Sequence, residues 1–511
     1  MTRHFDWLVL GAGSAGSVIA RRLSDDPGLS VGLVEAGGFP ADPDIDDPLQ
    51  WPALPGRAFD WAYRTEPQPH TADRCHDWPR GRLVGGSSCM HAMAHVRGHP
   101  EDFEPWRHAG GDRWSYASLL PAFTRSESFS GGDTSGRGTD GPLDVILPDD
   151  AVSPVVRAYM AAGNALGAPE LGDHNRGRLN GTAPNSLTLR NGRRLSVATA
   201  YLDPQILARD NLTLLTEHRV DRLLIEGPRA TGILARHTGQ PVTLTADRIV
   251  ICAGAIASPM LLMRSGIGSA DTLRQIGVDC RFDSPEVGRN LQDHLLVLGN
   301  VYRARQSVPP SRLQHSESLM YLDSSDLSAR HTQPDIVLAC VVAPSAAPGF
   351  ETPPYGTAYT LLCGVTHPAS RGVVKPGSAD PDQPPLIDPH YLSTDHDRAT
   401  FRTALQLARQ LGHHKALEAW RDCEVLPGAD MRSDAELDAF IARTASTHHH
   451  PCGTCRMGRD ETAVVDPDLR INGLGNAFIV DASIMPAIPS GPINAAVVAI
   501  AEHWAAGLKT P

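Results

Sequence analysis

Near the carboxyl end of this 511-residue chain, His448-His449-His450-Pro451-Cys452-Gly453-Thr454-Cys455 sets three imidazoles beside two thiols. Those residue types support three kinds of chemistry. An imidazole, with a reference pKa of about 6.5, suits removal of a hydroxyl proton near neutral pH. A CxxC beside histidines suits zinc, although a structural zinc site pairs such a knuckle with a second ligand pair at defined spacing. No other CxxC occurs, and Cys75, Cys89, Cys252 and Cys280 lie scattered. A CxxC dithiol also exchanges electrons with a flavin, a chemistry that calls for a second nucleotide site for NADPH. With 22 histidines in the chain, residue type alone does not choose among them.

The opposite end of the chain is built to cradle a phosphate. Gly11-Ala12-Gly13-Ser14-Ala15-Gly16 follows an apolar run, Phe5 to Leu10, and precedes a helical pattern with Val18, Ile19, Ala20 and Leu23 on one face. A second strand, Ser30 to Val34, ends at Glu35. This is the βαβ dinucleotide fingerprint in its required context. Gly11 allows the tight turn, Gly13 lets the backbone approach a pyrophosphate, and Gly16 permits close helix–strand packing. The pyrophosphate belongs at the helix N-terminus, where free N–H groups and the dipole favour an anion. Glu35, 24 residues after Gly11, stands where an acid accepts from an adenosine ribose. A second match, Gly136-Arg137-Gly138-Thr139-Asp140-Gly141, follows a Ser/Gly loop and runs into Pro142. Lacking flanking elements, it is set aside, and with it the NADPH site of a dithiol reductase.

These residues need a sheet to position them. Arg248 to Gly254 reads as a buried strand ending on small residues, and Ala477 to Ala482 repeats the design with Asp481 at its carboxyl end. Ligands of open α/β sheets bind at that edge. The nucleotide domain is therefore discontinuous, covering 1–150, 200–300 and 450–511. Residues 151–199 and the Pro-rich 301–449 form a substrate-binding domain, with strand-like runs at Asp335 to Val342 and Ala358 to Val365.

Composition narrows the function further. With 41% hydrophobic and 20% charged residues the balance is that of a globular protein. A net charge of −12, from 46 basic and 58 acidic residues, leaves no bulk basic surface for nucleic acid or anionic lipid. Nine cysteines, an odd and sparse set, point to a reducing compartment. No run approaches the roughly 18 to 20 apolar residues of a membrane helix. Phe5 to Leu10 is interrupted by Asp6 and runs into glycines, unlike a signal peptide. A cytoplasmic location is expected, with no nucleic-acid or membrane partner; the oligomeric state is left open.

Several separate motifs together resemble the glucose–methanol–choline (GMC) oxidoreductases, FAD-dependent flavoproteins that oxidise alcohols. Beside the N-terminal fingerprint stand Pro79-Arg80-Gly81-Arg82-Leu83-Val84-Gly85-Gly86-Ser87-Ser88 and Val96-Arg97-Gly98. Gly254-Ala255-Ile256-Ala257-Ser258-Pro259 leads to Ser265-Gly266-Ile267-Gly268, followed by Val287-Gly288-Arg289-Asn290-Leu291-Gln292-Asp293-His294. His450-Pro451-Cys452-Gly453-Thr454 and Asp481-Ala482-Ser483-Ile484-Met485-Pro486 complete the series, in family order from about residue 5 to 505. The resemblance implies an α/β fold, with a Rossmann-like FAD domain of GMC type and a second α+β domain on an antiparallel sheet.

It also implies the site. FAD contacts carry over to Gly11, Gly13, Ser14, Gly16, Glu35, Val84, Gly85, Gly86 and Ser87. His91, Ala92, Met93 and Ala94 follow, then Val220 beside the adenine, Ala253, Asp481, Ala482 and Asn494. Asp481 is expected to accept from a ribityl hydroxyl, or else merely to cap a following helix. Some relatives bind FAD covalently through a histidine where this chain has Met90, a poor nucleophile for that link, so the FAD here is non-covalent. Many relatives carry Asn at the place of His91, close to the flavin edge. His450, opening the His-Pro-x-Gly-Thr motif, is the expected base. Asn494 is its expected partner, donating to the alkoxide-like oxygen, or an N-cap of the helix after it; His448 and His449 match no catalytic place. Aromatics are only 5% of the chain, and 301–449 shows no aromatic cage for a quaternary ammonium. The expected substrate is therefore a (hetero)aromatic or allylic primary alcohol, with O2 or another electron acceptor. Choline or an aliphatic alcohol with a non-oxygen acceptor is the alternative, and a dithiol or metal site at Cys452/Cys455 the alternative of another kind.

Overall fold

A computed structural model describes residues 3–508. The first strand, β1 (Arg3–Leu10), carries a run, Leu8-Val9-Leu10, that is buried on both faces. Continuous burial is what a central parallel strand requires. β2 (Val31–Val34) is likewise buried throughout and begins one residue later than the pattern suggested. Between them lies α1 (Ser14–Leu23), which buries Val18, Ile19, Ala20 and Leu23 and ends on Arg21 and Arg22, cations suited to the helix C-terminus.

The remaining strands of this sheet come from far along the chain: β3 (Leu212–Leu215), β4 (His218–Glu226), β5 (Arg229–His237), β6 (Gln240–Ile251) and β7 (Ala477–Ile479). Their order is β3-β2-β1-β6-β5-β4, with β7 added on β6. β6 is long enough to serve two partners. Its first half pairs antiparallel with β5, and its last three residues pair parallel with β7. Consequently Leu10, Val34, Ile251 and Ile479 all end on one edge, the ligand-binding edge of such a sheet.

A second, eight-stranded sheet is antiparallel. It runs Arg421–Leu426, Val301–Ala304, Ala358–Val365, Ile336–Val341, Ser316–Leu322 and Gly181–Pro184, with Leu295–Val297 bridging Ala358–Val365 and Ala445–Thr447. Helix Asp395–His413 covers strand Ala358–Val365, and helix Pro154–Ala165 packs on Ser316–Leu322. The two expected layers, a Rossmann-like sheet and an antiparallel one, are both present. The C-terminal helix, Asn494–Gly507, is apolar nearly all round and packs against α1. Its one buried acid, Glu502, accepts from Arg22, from Arg125 Nε and from the Tyr201 hydroxyl, each bond between 2.6 and 3.1 Å.

The rejected glycine motif is a loop, but it does have flanking strands, contrary to the expectation; a strand, not a helix, follows it. It joins two short strands, Glu127–Ser130 and Leu143–Ile146. Arg137 from that loop is buried against Glu127 and Asp173, and its guanidinium lies 3.8 Å from the Phe129 ring centroid.

Candidate functional site

The common edge of the first sheet opens into a cavity of about 1250 Å³ that runs on to the second sheet. That exceeds the roughly 300–1,000 Å³ of an ordinary small-molecule pocket and leaves room for a dinucleotide and a small substrate together. Gly11, Gly13, Ser14, Glu35, Gly86, Ser87, His91, Ala92, Met93, Ala94, Val220, Ala253, Asp481, Ala482 and Asn494 all line it, as does His450.

Three expected contacts stand behind the wall instead. Gly16 does not reach the cavity; a Cβ there would lie 1.8 Å from the Gly11 carbonyl oxygen, so its role is packing. Val84 and Gly85 donate their N–H groups to the Gly38 and Ala12 carbonyls, at 2.9 and 2.8 Å. They brace the loops that touch the ligand. Gly11 has φ +107°, and a Cβ would meet the Cys252 carbonyl oxygen at 2.6 Å. Gly13 differs: a Cβ would meet only Gly86, at 3.9 Å. The space it keeps clear is the ligand's, beside the first N–H groups of α1, and this is the cradle a pyrophosphate fits.

Glu35 is 7% exposed and accepts from Ala12 N–H on one carboxylate oxygen and Gly37 N–H on the other. Burial pushes its carboxyl up to about 7 against those two bonds. Each oxygen keeps a further lone pair for a ribose diol. The residues at this end fit the adenosine and pyrophosphate of FAD, and Met90 in the following turn leaves the cofactor without a covalent link.

Asp481 has other employment. Oδ2 accepts from Gly254 N–H and Ser258 Oγ, and Oδ1 from Ser483 N–H and Ser483 Oγ, all at 2.5–2.8 Å. Four donors fill the roughly four lone-pair sites of a carboxylate. A ribityl hydroxyl has to share them, so the capping reading describes this side chain better. The capping reading of Asn494 is corrected in the opposite sense. Ile493 holds the N-cap position, without a side-chain bond, and Asn494 is the first helical residue. Its Oδ1 accepts from Ser14 Oγ at 2.6 Å, which ties it to the glycine loop.

What touches His450 is other histidines. His294 Nδ1 and His450 Nδ1 are 2.9 Å apart, and His294 Nε2 lies 2.8 Å from the Thr366 carbonyl oxygen. A carbonyl only accepts, so neutral His294 carries its proton on Nε2. Its bare Nδ1 then accepts from His450 Nδ1–H. By elimination His450 Nε2, which has no protein partner among the described residues, holds the free lone pair of a base. The His450 N–H donates to Asp293 Oδ1 at 2.7 Å. Asp293 is itself held by the Tyr391 and Thr447 hydroxyls, and burial raises its carboxyl to about 6. Burial, reinforced by His448 and His294, holds the His450 imidazole well below 6.5, so the ring is neutral at physiological pH.

His448, which matches no catalytic place in the motif, also belongs to this cluster. Its ring centroid is 4.4 Å from that of His450. His449 between them adopts φ +65°, a left-handed turn at the cavity wall. Three further contributors had only motif membership to announce them. Asp293 and His294 sit in the Val287–His294 segment, and Arg80 in Pro79-Arg80-Gly81. Arg80 lines the cavity with Nε and Nη2 buried and unpaired, beside Asp293. Thr366, in plain loop sequence, had no signal at all.

The rival chemistries fit poorly. Cys452 and Cys455 are fully buried, and burial raises both thiols, whereas a redox dithiol needs access and a lowered pKa. The sulfurs are not disulfide-bonded. His294, His448 and His450 do bring ring nitrogens within 4.8 Å of one another. Yet two nitrogens on one tetrahedral zinc lie roughly 3.3 Å apart, and the 2.9 Å pair with its carbonyl anchor is a hydrogen-bonded relay.

Known proteins share this fold over nearly the whole chain. The GMC oxidoreductase family pattern matches residues 5–296 for its N-terminal part and 368–501 for its C-terminal part. Pyridoxine 4-oxidase of Microbacterium luteolum is 50% identical over 507 residues, covering 99% of this chain and 100% of that one. An oxygen-dependent choline dehydrogenase of Burkholderia thailandensis is 38% identical, covering 99% and 93%. Among solved structures, pyridoxine 4-oxidase from Mesorbium loti superposes with a TM-score of 0.96 at 52% identity, over 98% of this chain and 99% of that one. A formate oxidase superposes with a TM-score of 0.91 at 26% identity, over 99% and 98%.

Proposed function

Because the chain belongs to the GMC oxidoreductase family and is an FAD-dependent oxidoreductase acting on CH–OH groups, we propose that it oxidises a heteroaromatic primary alcohol of the pyridinemethanol type to the aldehyde, with O2 as final acceptor. FAD, when bound, supplies the hydride acceptor. The protein's own task is the proton. His450 Nε2 takes it from the alcohol hydroxyl as the carbon-bound hydride leaves, and His294 keeps the ring in the tautomer that can do so. The unpaired Arg80 guanidinium adds a fixed positive charge to the wall where negative charge develops on oxygen. Asn494, tethered to Ser14, is assigned to the cofactor loop in preference to the proton transfer.

One observation carries the substrate reading. The wall contributed by the second sheet offers Leu319, Val337, Ala339 and Leu362 and no carboxylate. A flat uncharged ring fits that wall; choline asks for a carboxylate and an aromatic cage. The pyridoxine 4-oxidase that is 50% identical points the same way. The division into domains rests on which sheet each strand joins. Strand Gly181–Pro184 and the strands from Leu295 to Thr447 build the second sheet. This supports 151–199 as substrate-side and moves the 200–300 boundary to just before residue 295. No helix among the described residues is long and apolar enough to cross a membrane.

The test is an anaerobic panel of pyridoxine, pyridine-4-methanol, benzyl alcohol and choline, following bleaching of the flavin, then admission of air with peroxide measured. Bleaching by the pyridine alcohols and stoichiometric peroxide are expected. Bleaching by choline alone, or no reoxidation in air, overturns the reading.

A further inference from the structure

His91 and Arg194 form a pair that the proton transfer does not use. Arg194 is 4% exposed and has no carboxylate within salt-bridge distance among the described residues. Its Nε donates to the Ile45 carbonyl at 2.6 Å, and Nη1 donates both to the His91 carbonyl and, at 3.2 Å, to His91 Nδ1. The Met93 N–H donates to the same Nδ1 at 3.0 Å. An N–H and a guanidinium can only donate, so His91 Nδ1 must be a lone pair and Nε2 must carry the proton. Nε2 has no protein partner and is not sealed in the interior, and the ring lines the cavity.

The place of that N–H decides its use. His91 N–H donates to the Ser87 carbonyl, one turn beyond Gly86, whose own Cα backs onto Gly13 of the phosphate cradle. Just past it, Thr188 N–H donates to the Met93 carbonyl and His95 N–H to the Ser186 carbonyl, which join this segment to residues that lead into the second sheet. His91 thus stands between the phosphate cradle and the substrate wall, the stretch of cavity that a dinucleotide anchored at Gly11–Ser14 fills with its reacting ring.

We propose that His91 is a tautomer-locked hydrogen-bond donor to the flavin ring of FAD, and that Arg194 is the positioning residue that locks it. The proposal rests on FAD being the cofactor but not on which alcohol is oxidised. The charged and titratable groups around the ring are Arg194 and His95, with Cys89 and Asp46 facing Arg194. Burial, then the Arg194 charge, depresses the imidazole to about 3, and burial lowers Arg194 only to about 10. The lock therefore holds from about pH 5 to 8. A buried arginine without a counter-ion is expensive; a donor that never changes sign is what it secures.

The experiment uses the FAD-loaded protein and reads the cofactor rather than turnover. In His91→Leu the sulfite adduct of the flavin should weaken about tenfold, and the two-electron potential should fall by about 30 mV, the equivalent of tenfold in that equilibrium. His91→Asn, which keeps an N–H donor, should stay within about twofold of wild type. The wild-type oxidised spectrum should be invariant from pH 5 to 8, while Arg194→Met should show a titrating spectral shift as the released imidazole takes a proton. Equal shifts in His91→Leu and His91→Asn would mean that volume, not the donor, matters, and would overturn the proposal. So would an unchanged potential in His91→Leu accompanied by a raised KM, which would assign the donor to substrate. If Arg194→Met does not fold, the His91 pair still decides. A wild type that binds FAD but oxidises no pyridine alcohol would sink the substrate reading and leave this test readable.

Discussion

His294 makes no contact with substrate in the proposed reaction, yet replacing it should slow the chemical step. In His294→Leu the His450 Nδ1–H loses its acceptor at 2.9 Å, inside a region where His294 itself is 3% exposed. Leaving a buried donor unpaired costs about 1–3 kcal/mol. The ring can escape that cost by moving its proton to Nε2, which removes the lone pair that takes the alcohol proton. At about 1.36 kcal/mol per decade, the reactive tautomer should become roughly 5- to 150-fold rarer. Anaerobic stopped-flow reduction by a pyridine alcohol should therefore slow about 10- to 100-fold, with FAD content and the substrate dissociation constant within about threefold of wild type. His294→Gln offers a carbonyl to His450 and an amide to Thr366, and should recover part of the loss. The Thr366 carbonyl also loses its donor in the Leu variant, so some thermal stability should go with it. Reduction within about threefold of wild type in His294→Leu, with FAD retained, would refute the relay.

Three other outcomes follow from the same geometry. His450→Ala should keep FAD but reduce it about 10²- to 10⁴-fold more slowly, and because burial holds the wild-type ring well below 6.5, wild-type reduction should stay within about twofold from pH 8 to 6; a wild-type limb centred near pH 6.5 would place the base elsewhere. Glu35→Ala should release FAD on gel filtration at low added cofactor, whereas Asp481→Ala, which strands Gly254, Ser258 and Ser483, should lower the melting temperature more than it raises the FAD dissociation constant. Acid should destabilise the FAD-loaded fold below pH 6.5, because His76, His91, His294, His448, His449 and His503 are depressed to between about 3 and 4, so the unfolded chain binds protons that the folded one refuses. Glu35 and Asp293, raised to about 7 and about 6, act with the opposite sign and offset only part of this; a melting temperature that rises steadily from pH 6.5 to 4.5 would contradict the balance.

Much of the nucleotide end was legible from residue types because its physics is local. Gly11, Gly13 and Gly16 act through their own backbones, and Glu35 ends the strand beside them. Spacing also told Gly13, which faces the ligand, from Gly16, which packs, but it could not tell Gly86 and Ser87, which line the cavity, from Val84 and Gly85, which stand behind it. The chemistry end was legible only as a position. His450 was found through the motif it opens, but its neighbours come from residues 293, 294 and 448, and no periodicity links a loop carbonyl such as Thr366 to the His294 imidazole 72 residues earlier. Asn494 and Asp481 line the cavity, but their protein partners, Ser14 for one and Gly254, Ser258 and Ser483 for the other, were not legible, since a carboxylate or amide does not declare which donors will reach it first. The His91 tautomer was beyond sequence altogether: it follows from the donors converging on one nitrogen, Arg194 among them from 103 residues away.

The way β1 and the glycine loop are completed by the chain's last segments bears on how the protein is made. β1 pairs with β6 some 240 residues later, β7 joins β6 only at residue 477, and Ser14 meets Asn494 across 480 positions. Ribosomes add about 5–20 residues per second, so the first half of the cradle waits on the order of half a minute or more for the second. During that interval α1 lacks its packing against the terminal helix, and Trp7 its edge contact with Trp504. A nascent chain in this state has exposed apolar surface and half a cofactor site, so FAD capture belongs after residues 477–507 have been made. It also means that loss of the last two dozen or so residues removes more than a tail: it takes away the helix that packs on α1 and the amide that holds the first loop.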